Sequence, residues 1–192
     1  QAIALATDAT PFVMGIVIAV AMGVLLTLPT SSAAIWVALA QGISDDAMLL
    51  AGGAAVVGCA CHMVGFAVAS FRENKISGLI SQGIGTSMLQ IPNIMKKPVI
   101  MVPEIVSSAF AGLVAVLLGI TCTAAGGGMG TSGLVGLFGV IESCATYNVP
   151  TLNCVLGIIL SMFVIPTVIT LLVSEFMRKK KWITLGDLKL DA

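Results

Sequence analysis

The sequence predicts an all-α integral membrane protein with about four to five transmembrane helices and two re-entrant hairpins of opposite orientation. Three observations predict it: the composition, the placement of the basic residues and a repeated glycine motif. Of the 192 residues, 58% are hydrophobic and 9% are charged, and the mean hydropathy is +1.10. Soluble domains carry roughly a quarter charged residues, so the lipid bilayer must supply much of this chain's solvent. The formal net charge of zero argues against a nucleic-acid partner.

Four segments are apolar enough and long enough to cross about 30 Å of hydrocarbon, which takes about 20 helical residues. These predicted spans are 11–28, 47–70, 99–121 and 151–177. Pro29 and the polar residues after it interrupt the first apolar run. The run resumes as AAIWVALA, which is too short to cross alone. It is predicted to be either a kinked continuation of the first helix or a half-helix.

The basic residues lie next to the ends of the predicted spans. They form three clusters, at 72–75, 96–97 and 178–181. Loops rich in Lys and Arg stay in the cytoplasm, so a multi-pass orientation with all three clusters inside follows without conflict. Segment 76–95 then begins and ends on the cytoplasmic side, and segment 122–150 begins and ends on the other side.

These two non-crossing segments are too apolar for ordinary exposed loops. Each contains G-x-G-T-S, first in QGIGTSML at 82–89 and then in GGMGTSGL at 127–134. Irregular backbone at membrane depth is tolerated only where protein buries it or water lines it. Two broken segments that enter from opposite faces are typical of an inverted-repeat transporter. The alternatives are two interfacial amphipathic helices, or a chance recurrence of a motif of small residues.

The repeated motif and its surroundings offer neutral hydrogen-bonding groups. Glycine lets a ligand or another chain approach the backbone closely, and the Thr-Ser pairs and nearby amides, Gln82 among them, supply donors and acceptors that suit a sugar. The predicted substrate-binding residues are Thr86, Ser87, Gln90, Asn93, Gly130, Thr131, Ser132 and Glu142. The alternative is that small residues only allow close helix packing. The match of 128–133 to G-x-G-x-x-G lacks the strand and helix that a dinucleotide site requires.

Three ionisable residues in apolar segments are candidates for a proton or ion site. Glu104 follows Pro103 in the third span, Glu142 closes the second hairpin, and His62 lies in the second span. Either glutamate is predicted to bind a sugar hydroxyl, or to exchange a proton if burial favours its neutral form. Glu104 could instead cap a helix N-terminus at the headgroup level, and His62 could be a hydrogen-bonded packing residue.

The remaining polar residues predict no catalytic machinery. The single histidine has no nearby aspartate, so a hydrolase arrangement is absent from the sequence. Five cysteines lie in apolar surroundings and are predicted to be reduced and structural. No cofactor and no metal site are predicted.

Two stretches resemble a known family. GIGTSMLQIPNIMKKPVIMVPEIVSSAFAG and the later AAGGGMGTSGLVGLFG resemble the EIIC family of phosphotransferase-system-like membrane permeases, in particular the branch that includes perfringolysin regulator-type proteins. The resemblance implies that 1–192 is a single membrane domain and the C-terminal portion of a longer permease. Family members often read I-P-P-T where this chain has Val102-Pro103-Glu104, so Glu104 is not carried over as a family site.

The resemblance also implies a function. It is the translocation of a sugar or sugar-like solute across the bacterial inner membrane by alternating access, in a lipid-embedded homodimer. Phosphorylation of the sugar would need a separate phosphocarrier protein of the EIIB type, so enzyme activity in this chain is left open. Two alternatives remain: a membrane-embedded solute sensor or regulator that signals through the basic C-terminal end, and an ion-coupled secondary transporter that uses Glu104, Glu142 or His62.

Overall fold

The computed structural model describes residues 2–40 and 45–190. The described residues are mostly helical and contain no strand, which confirms the all-α class. The α-helices are α1 (Ala2–Ala9), α2 (Pro11–Thr27), α3 (Ser32–Ala40), α4 (Asp46–Ala69), α5 (Phe71–Ile80), α6 (Ile91–Lys96), α7 (Val102–Leu117), α8 (Val135–Thr146), α9 (Thr151–Gly157) and α10 (Ile165–Lys179).

Three helical stretches are long and apolar enough to cross a membrane. They are Asp46–Ala69, Pro98–Leu117 and Thr151–Lys179, in which a π-helical stretch joins α9 to α10. They match the second, third and fourth predicted spans within a few residues. α2 has 17 residues, which is the lower end of the length that spans a bilayer.

Helix α4 lies at the centre of the bundle. In its most apolar stretch 83% of the residues are buried, against 28% for Thr151–Lys179. A Cβ atom at Gly58 would lie 1.9 Å from the carbonyl oxygen of Ala19 in α2, and one at Gly53 would lie 1.7 Å from that of Ile120. Small residues at these positions therefore let neighbouring backbones touch α4 directly.

Helix α2 runs parallel to α4 and ends partway along it. Ala19 of α2 lies against Gly58 of α4, and Thr27, the last residue of α2, contacts His62. The later residue of α2 contacts the later residue of α4, so the two helices point the same way. At Thr27 the chain is still about two turns from Ala69, the end of α4.

Helix α3 then returns toward the beginning of α4. Its Trp36 is buried beside Gly52, whose ideal Cβ position lies 3.6 Å from the indole ring. Of the two readings for AAIWVALA, the structure therefore favours the half-helix. Segment 11–28 was predicted as a span of its own, but α2 and α3 together form an arm that starts and finishes near the same end of α4.

The first predicted hairpin, 76–95, has a helix–break–helix form. Helix α5 leads into a π-helical turn at Ser81–Gly85, and α6 returns after a 3-10 turn at Ser87–Gln90. Thr86 between the turns is extended, with φ −161° and ψ 141°. This residue therefore interrupts the helical path of the backbone. Insertion of the hairpin into the membrane stays a prediction.

The second predicted segment, 122–150, has only one helical arm, α8. Its first arm is a series of turns that begins at the opposite end of α4, where the Cys122 amide donates to the Leu49 carbonyl oxygen at 3.3 Å. Gly130, further along this arm, has φ +57°, and a Cβ atom there would lie 2.7 Å from the Ala60 amide nitrogen. Glycine is therefore required here both for the left-handed backbone and for the close approach to α4.

The three basic clusters lie at one end of the bundle. Each contributes a residue to an ion pair that joins sequence-distant elements beyond the end of α4. The pairs are Arg72–Glu175 at 3.0 Å, Arg178–Glu73 at 3.4 Å and Lys97–Asp187 at 2.6 Å. Their common location agrees with the topology from which the hairpins were predicted. The cytoplasmic assignment of this end remains a prediction.

Candidate functional site

The two copies of G-x-G-T-S contact each other directly. The Thr131 hydroxyl donates to the Gly83 carbonyl oxygen at 2.6 Å, and the Ser132 hydroxyl donates to the Gly85 carbonyl oxygen at 2.9 Å. These four residues are called the tip junction below. A hydroxyl has one hydrogen to donate, so the second copy uses both of its hydroxyl hydrogens to hold the first copy.

A third broken segment, the end of α2, reaches the same region. The Thr27 hydroxyl lies 3.0 Å from Ser87 Oγ and 2.9 Å from His62 Nδ1, and it donates to the Gly23 carbonyl oxygen at 3.1 Å. The Thr27 hydroxyl has a single hydrogen, which it donates to Gly23. Its oxygen therefore accepts the hydrogen bonds from the Ser87 hydroxyl and from His62 Nδ1. The chain Ser87–Thr27–His62 therefore ties the first hairpin to α2 and α4.

Thr27 is a residue that the sequence interpretation missed. It is fully buried, and it closes the apolar α2 just before the break at Pro29. The two glycine motifs were identified by polar residues beside a break in an apolar segment. Thr27, a polar residue at the end of an apolar helix, could have been found by the same signal. His62 contacts Thr27 through Nδ1, while its Nε2 is buried without a partner. Its role, as a packing residue or as a proton site, stays a prediction.

The tip junction lies toward the basic end of α4. Gly130 packs against Ala60, and an ideal Cβ at Gly83 lies 3.5 Å from the Cβ of Ala67. A point on α4 between these two contacts, at Ala60 and Ala67, lies about 26 Å along the helix from Asp46 and about 9 Å from Ala69, at 1.5 Å per residue. The second segment therefore reaches much further along α4 than the first hairpin does.

The junction is closed in this conformation. Its hydroxyls are bonded to its own carbonyl oxygens, as described above. The groove of about 310 Å³ that reaches Gly83 is lined mainly by apolar side chains, Val64, Leu79 and Phe163 among them. That groove does not offer the donors and acceptors that a sugar needs. The Ser132–Gly85 contact is exposed, but its groups are paired with each other, so a polar solute can bind between the two motifs only if the tips separate.

Two of the predicted site amides, together with Gln82, hold the C-terminal segment 183–190. The Gln90 side-chain amide donates to Gln82 Oε1 at 2.8 Å and to the Leu188 carbonyl oxygen at 3.0 Å. The Asn93 amide donates to Gln90 Oε1 and to the Lys189 carbonyl oxygen, both at 2.8 Å. All three amide side chains are buried. Their donors are thus engaged by the protein itself.

Charged groups complete the attachment of segment 183–190. The Gly186 amide donates to Glu73 Oε1 at 2.9 Å, and Lys97 pairs with Asp187 at 2.6 Å. Partial burial by itself would raise the pKa of Asp187, but hydrogen bonds from Lys97 and from Thr184 outweigh it and hold that pKa below its usual value. The basic C-terminal end is therefore folded against the first hairpin.

The other predicted site residues do not meet at the junction. The Thr86 hydroxyl accepts the Met88 amide at 3.2 Å within its own turn. Glu142 is exposed on α8. Glu104 is fully buried in the first turn of α7 with no hydrogen-bond partner for either carboxylate oxygen, so it makes no capping hydrogen bond there.

We expect Gln90→Leu to loosen the attachment of segment 183–190 while leaving the tip junction in place. The change leaves the buried Gln82 Oε1 without a donor, which costs about 1–3 kcal/mol, and it removes one of the two donors to the Leu188 carbonyl oxygen, the other being the Asn74 amide. Trypsin cleavage after Lys189 in the purified protein should become at least several-fold faster. Thr86→Val, which removes only a bond within one turn, serves as the control. Unchanged cleavage combined with lost sugar binding would instead return Gln90 to the substrate site.

Comparison with known proteins identifies the family. A family model described as the phosphotransferase system EIIC matches residues 1–190, so it includes both G-x-G-T-S motifs, the tip junction and the C-terminal segment. No curated protein and no solved structure matches the chain. The three apolar helices agree with a membrane location. The chain therefore belongs to the phosphotransferase-system EIIC family of membrane sugar permeases.

Proposed function

We propose that the chain moves a sugar across the bacterial inner membrane by alternating access, with the tip junction as its substrate site. The observation that carries this proposal is the direct contact between the two G-x-G-T-S motifs. Transporters commonly bind their substrates where broken helices meet, and here three broken segments meet beside α4. The four junction residues are all uncharged, which suits a neutral sugar.

Substrate entry at this site follows from the hydrogen bonds that close it. A sugar hydroxyl both donates and accepts, so one hydroxyl can accept from Thr131 and donate to the Gly83 carbonyl oxygen. A second can do the same between Ser132 and Gly85. The tips can therefore part around a sugar without leaving buried polar groups unpaired, which would cost about 1–3 kcal/mol for each group.

The position of the junction along α4 fits the chemistry of the family. EIIC proteins in general supply their sugar to an EIIB-type phosphocarrier. In our proposal the basic end of the bundle faces the cytoplasm and is the side that such a partner approaches. The junction lies about 9 Å from that end of α4, so a bound sugar would have only a short way to travel to the partner.

Removing the two junction hydroxyls tests this function. We expect Thr131→Val combined with Ser132→Ala to weaken binding of a sugar roughly 10- to 100-fold, since two hydrogen bonds worth about 0.5–1.5 kcal/mol each are lost. Binding to the full protein that contains this chain is measured with a panel of labelled monosaccharides, disaccharides and sugar alcohols.

The matched control is Ser161→Ala, which removes a buried hydroxyl that has no hydrogen-bond partner. This variant should bind like the wild type. If the double variant retains the affinity of the wild type for a sugar that the wild type binds, the junction is not the substrate site.

A second candidate function, a solute sensor, is favoured by one observation. Gln90 and Asn93 of the first hairpin bond the C-terminal segment. A movement of the first hairpin when the tips separate would therefore displace this segment at the basic end. In a sensor, Gln90→Leu should abolish signalling and leave solute binding intact. In a permease, uptake should survive the same change.

A further inference from the structure

The interior of the bundle holds a carboxyl group that the proposed sugar site does not use. Glu104 is 0% exposed, and neither of its carboxylate oxygens has a hydrogen-bond partner. It is the only ionisable residue of α7. The large majority of buried polar side-chain atoms in proteins have a partner, so this exception requires a physical explanation.

Glu104 faces two other transmembrane helices. A Cβ atom at Gly65 of α4 would lie 2.9 Å from Glu104 Cγ, 3.6 Å from Glu104 Oε1 and 3.0 Å from the hydroxyl oxygen of Thr170 in α10. The missing side chain at Gly65 therefore leaves room for both polar groups. Thr170 is also 0% exposed, and its hydroxyl has no partner. Two unsatisfied groups thus border the same small space.

The ionisable residues of the packed helices do not neutralise Glu104. Helix α2 has none. On α4, His62 binds Thr27 and the Cys61 thiol donates to a backbone carbonyl oxygen. The others are engaged elsewhere or lie at helix ends: Asp46 and Cys59 on α4, and Glu175, Arg178 and Lys179 on α10, of which Glu175 pairs with Arg72 and Arg178 with Glu73.

An ionised Glu104 would therefore have no charged partner in the apolar bundle, and only the N-terminal end of α7, in whose first turn it lies, would favour its charge. Burying an unpaired ion costs several kcal/mol even after relaxation, far more than burying a neutral acid. A neutral carboxylic acid also has an O–H donor. The Thr170 hydroxyl borders the same space as an available acceptor on the facing helix, and it is not bonded to Glu104 in this conformation. The closed bundle therefore favours the protonated side chain.

We propose that Glu104 forms a proton-binding site with Thr170 and the open face of Gly65, and that it exchanges its proton when α4, α7 and α10 separate. On opening, water reaches the carboxyl group, the O–H bond breaks, and the proton passes to water while the hydrated carboxylate remains. On closing, the carboxylate takes a proton from water again. Gly65 lies within one turn of the level of the tip junction on α4, so the same opening would serve both sites.

Infrared difference spectroscopy tests the resident proton without any transport. The full protein is reconstituted in vesicles at pH 7, and the carbonyl stretch of a buried carboxylic acid is recorded. We expect this band in the wild type and in Glu142→Gln, and its loss in Glu104→Gln, which is neutral and of nearly the same shape. In deuterated water the band should shift only slowly, because exchange requires opening.

Two results would contradict the proposal that Glu104 carries a proton in the closed bundle. One is a wild type without the acid band, since Glu104 would then be ionised. The other is a band that sodium chloride removes in a saturable way and choline chloride does not, since the site would then bind a cation. Thr170→Val gives a second variant that keeps the carboxyl group: its acid band should move, because a polar hydroxyl that borders the same space has been replaced by a methyl group.

Proton movement during transport is measured separately. Vesicles that contain a pH-sensitive dye are exposed to the same sugar panel, and proton flux should fall at least tenfold in Glu104→Gln while sugar counterflow continues. Sugar uptake by the wild type without proton flux would overturn the exchange. The absence of any sugar uptake would instead contradict the proposed function and leave the infrared result standing.

Discussion

Gly58→Ala is expected to destabilise the helix bundle by about 3 kcal/mol, the upper part of the range for overpacked cores. The new Cβ atom would lie 1.9 Å from the carbonyl oxygen of Ala19 and 2.5 Å from its Cα atom. These are backbone atoms, so no side-chain rotation relieves the clash and α2 must move away from α4. That movement also shifts Thr27, at the end of α2, from its contacts with Ser87 and His62.

Unfolding of the purified protein in detergent gives the measurement, with the fluorescence of the buried Trp36 as one reporter. The control is Gly85→Ala, because a Cβ atom at Gly85 has nothing within 4 Å. Its stability should change by no more than about 0.5 kcal/mol. Equal effects of the two substitutions would contradict the close contact of α2 with α4.

The second large effect is expected from a disulfide that fixes the first hairpin. The Cβ of Ala67 and the ideal Cβ at Gly83 are 3.5 Å apart, which lies within the range for a disulfide. Oxidation of the Ala67→Cys, Gly83→Cys variant should lower sugar uptake at least tenfold, because the first hairpin can no longer move away from α4, and a reducing agent should restore it. The five native cysteines are buried and unpaired, so they compete little for the new thiols.

Each single cysteine variant is the control, and both should transport in oxidising and reducing conditions alike. Normal uptake by the cross-linked protein would show that the first hairpin does not move during transport. Sugar binding by the cross-linked protein is informative as well. Its loss together with uptake is expected if the junction is the binding site.

The membrane spans could be read from the sequence because their signal is local. Twenty or so apolar residues in a row suffice to predict a spanning helix, and α4 matches its predicted range within one residue at each end. The orientation of the first predicted span could not be read in the same way. With no Lys or Arg before Arg72, the positive-inside rule had nothing with which to orient α2. Its direction depends on the contact of Gly58 with Ala19.

The hydrogen-bond partners of Gln90 and Asn93 could not be predicted from the sequence. Their residue types and their nearness to the motif favoured a substrate site, because amides bind sugars well. The partner of Gln90 is a backbone carbonyl oxygen at Leu188, 98 residues further along the chain. No spacing rule connects such positions, since backbone acceptors are present at every residue and only the fold selects one.

The sequence by itself determined the membrane class, the family resemblance, the approximate ends of three spans and the presence of two glycine-rich breaks. These depend on composition and on short motifs, which act within a few residues. Only the tertiary structure decided that the hydroxyls of one motif bond the carbonyl oxygens of the other, that Thr27 links Ser87 of the first motif to His62, and that Glu104 faces Gly65. The reason is physical: a buried polar group takes whichever partner the packing brings within about 3 Å, and that packing is set by glycines whose contacts lie far away in the chain.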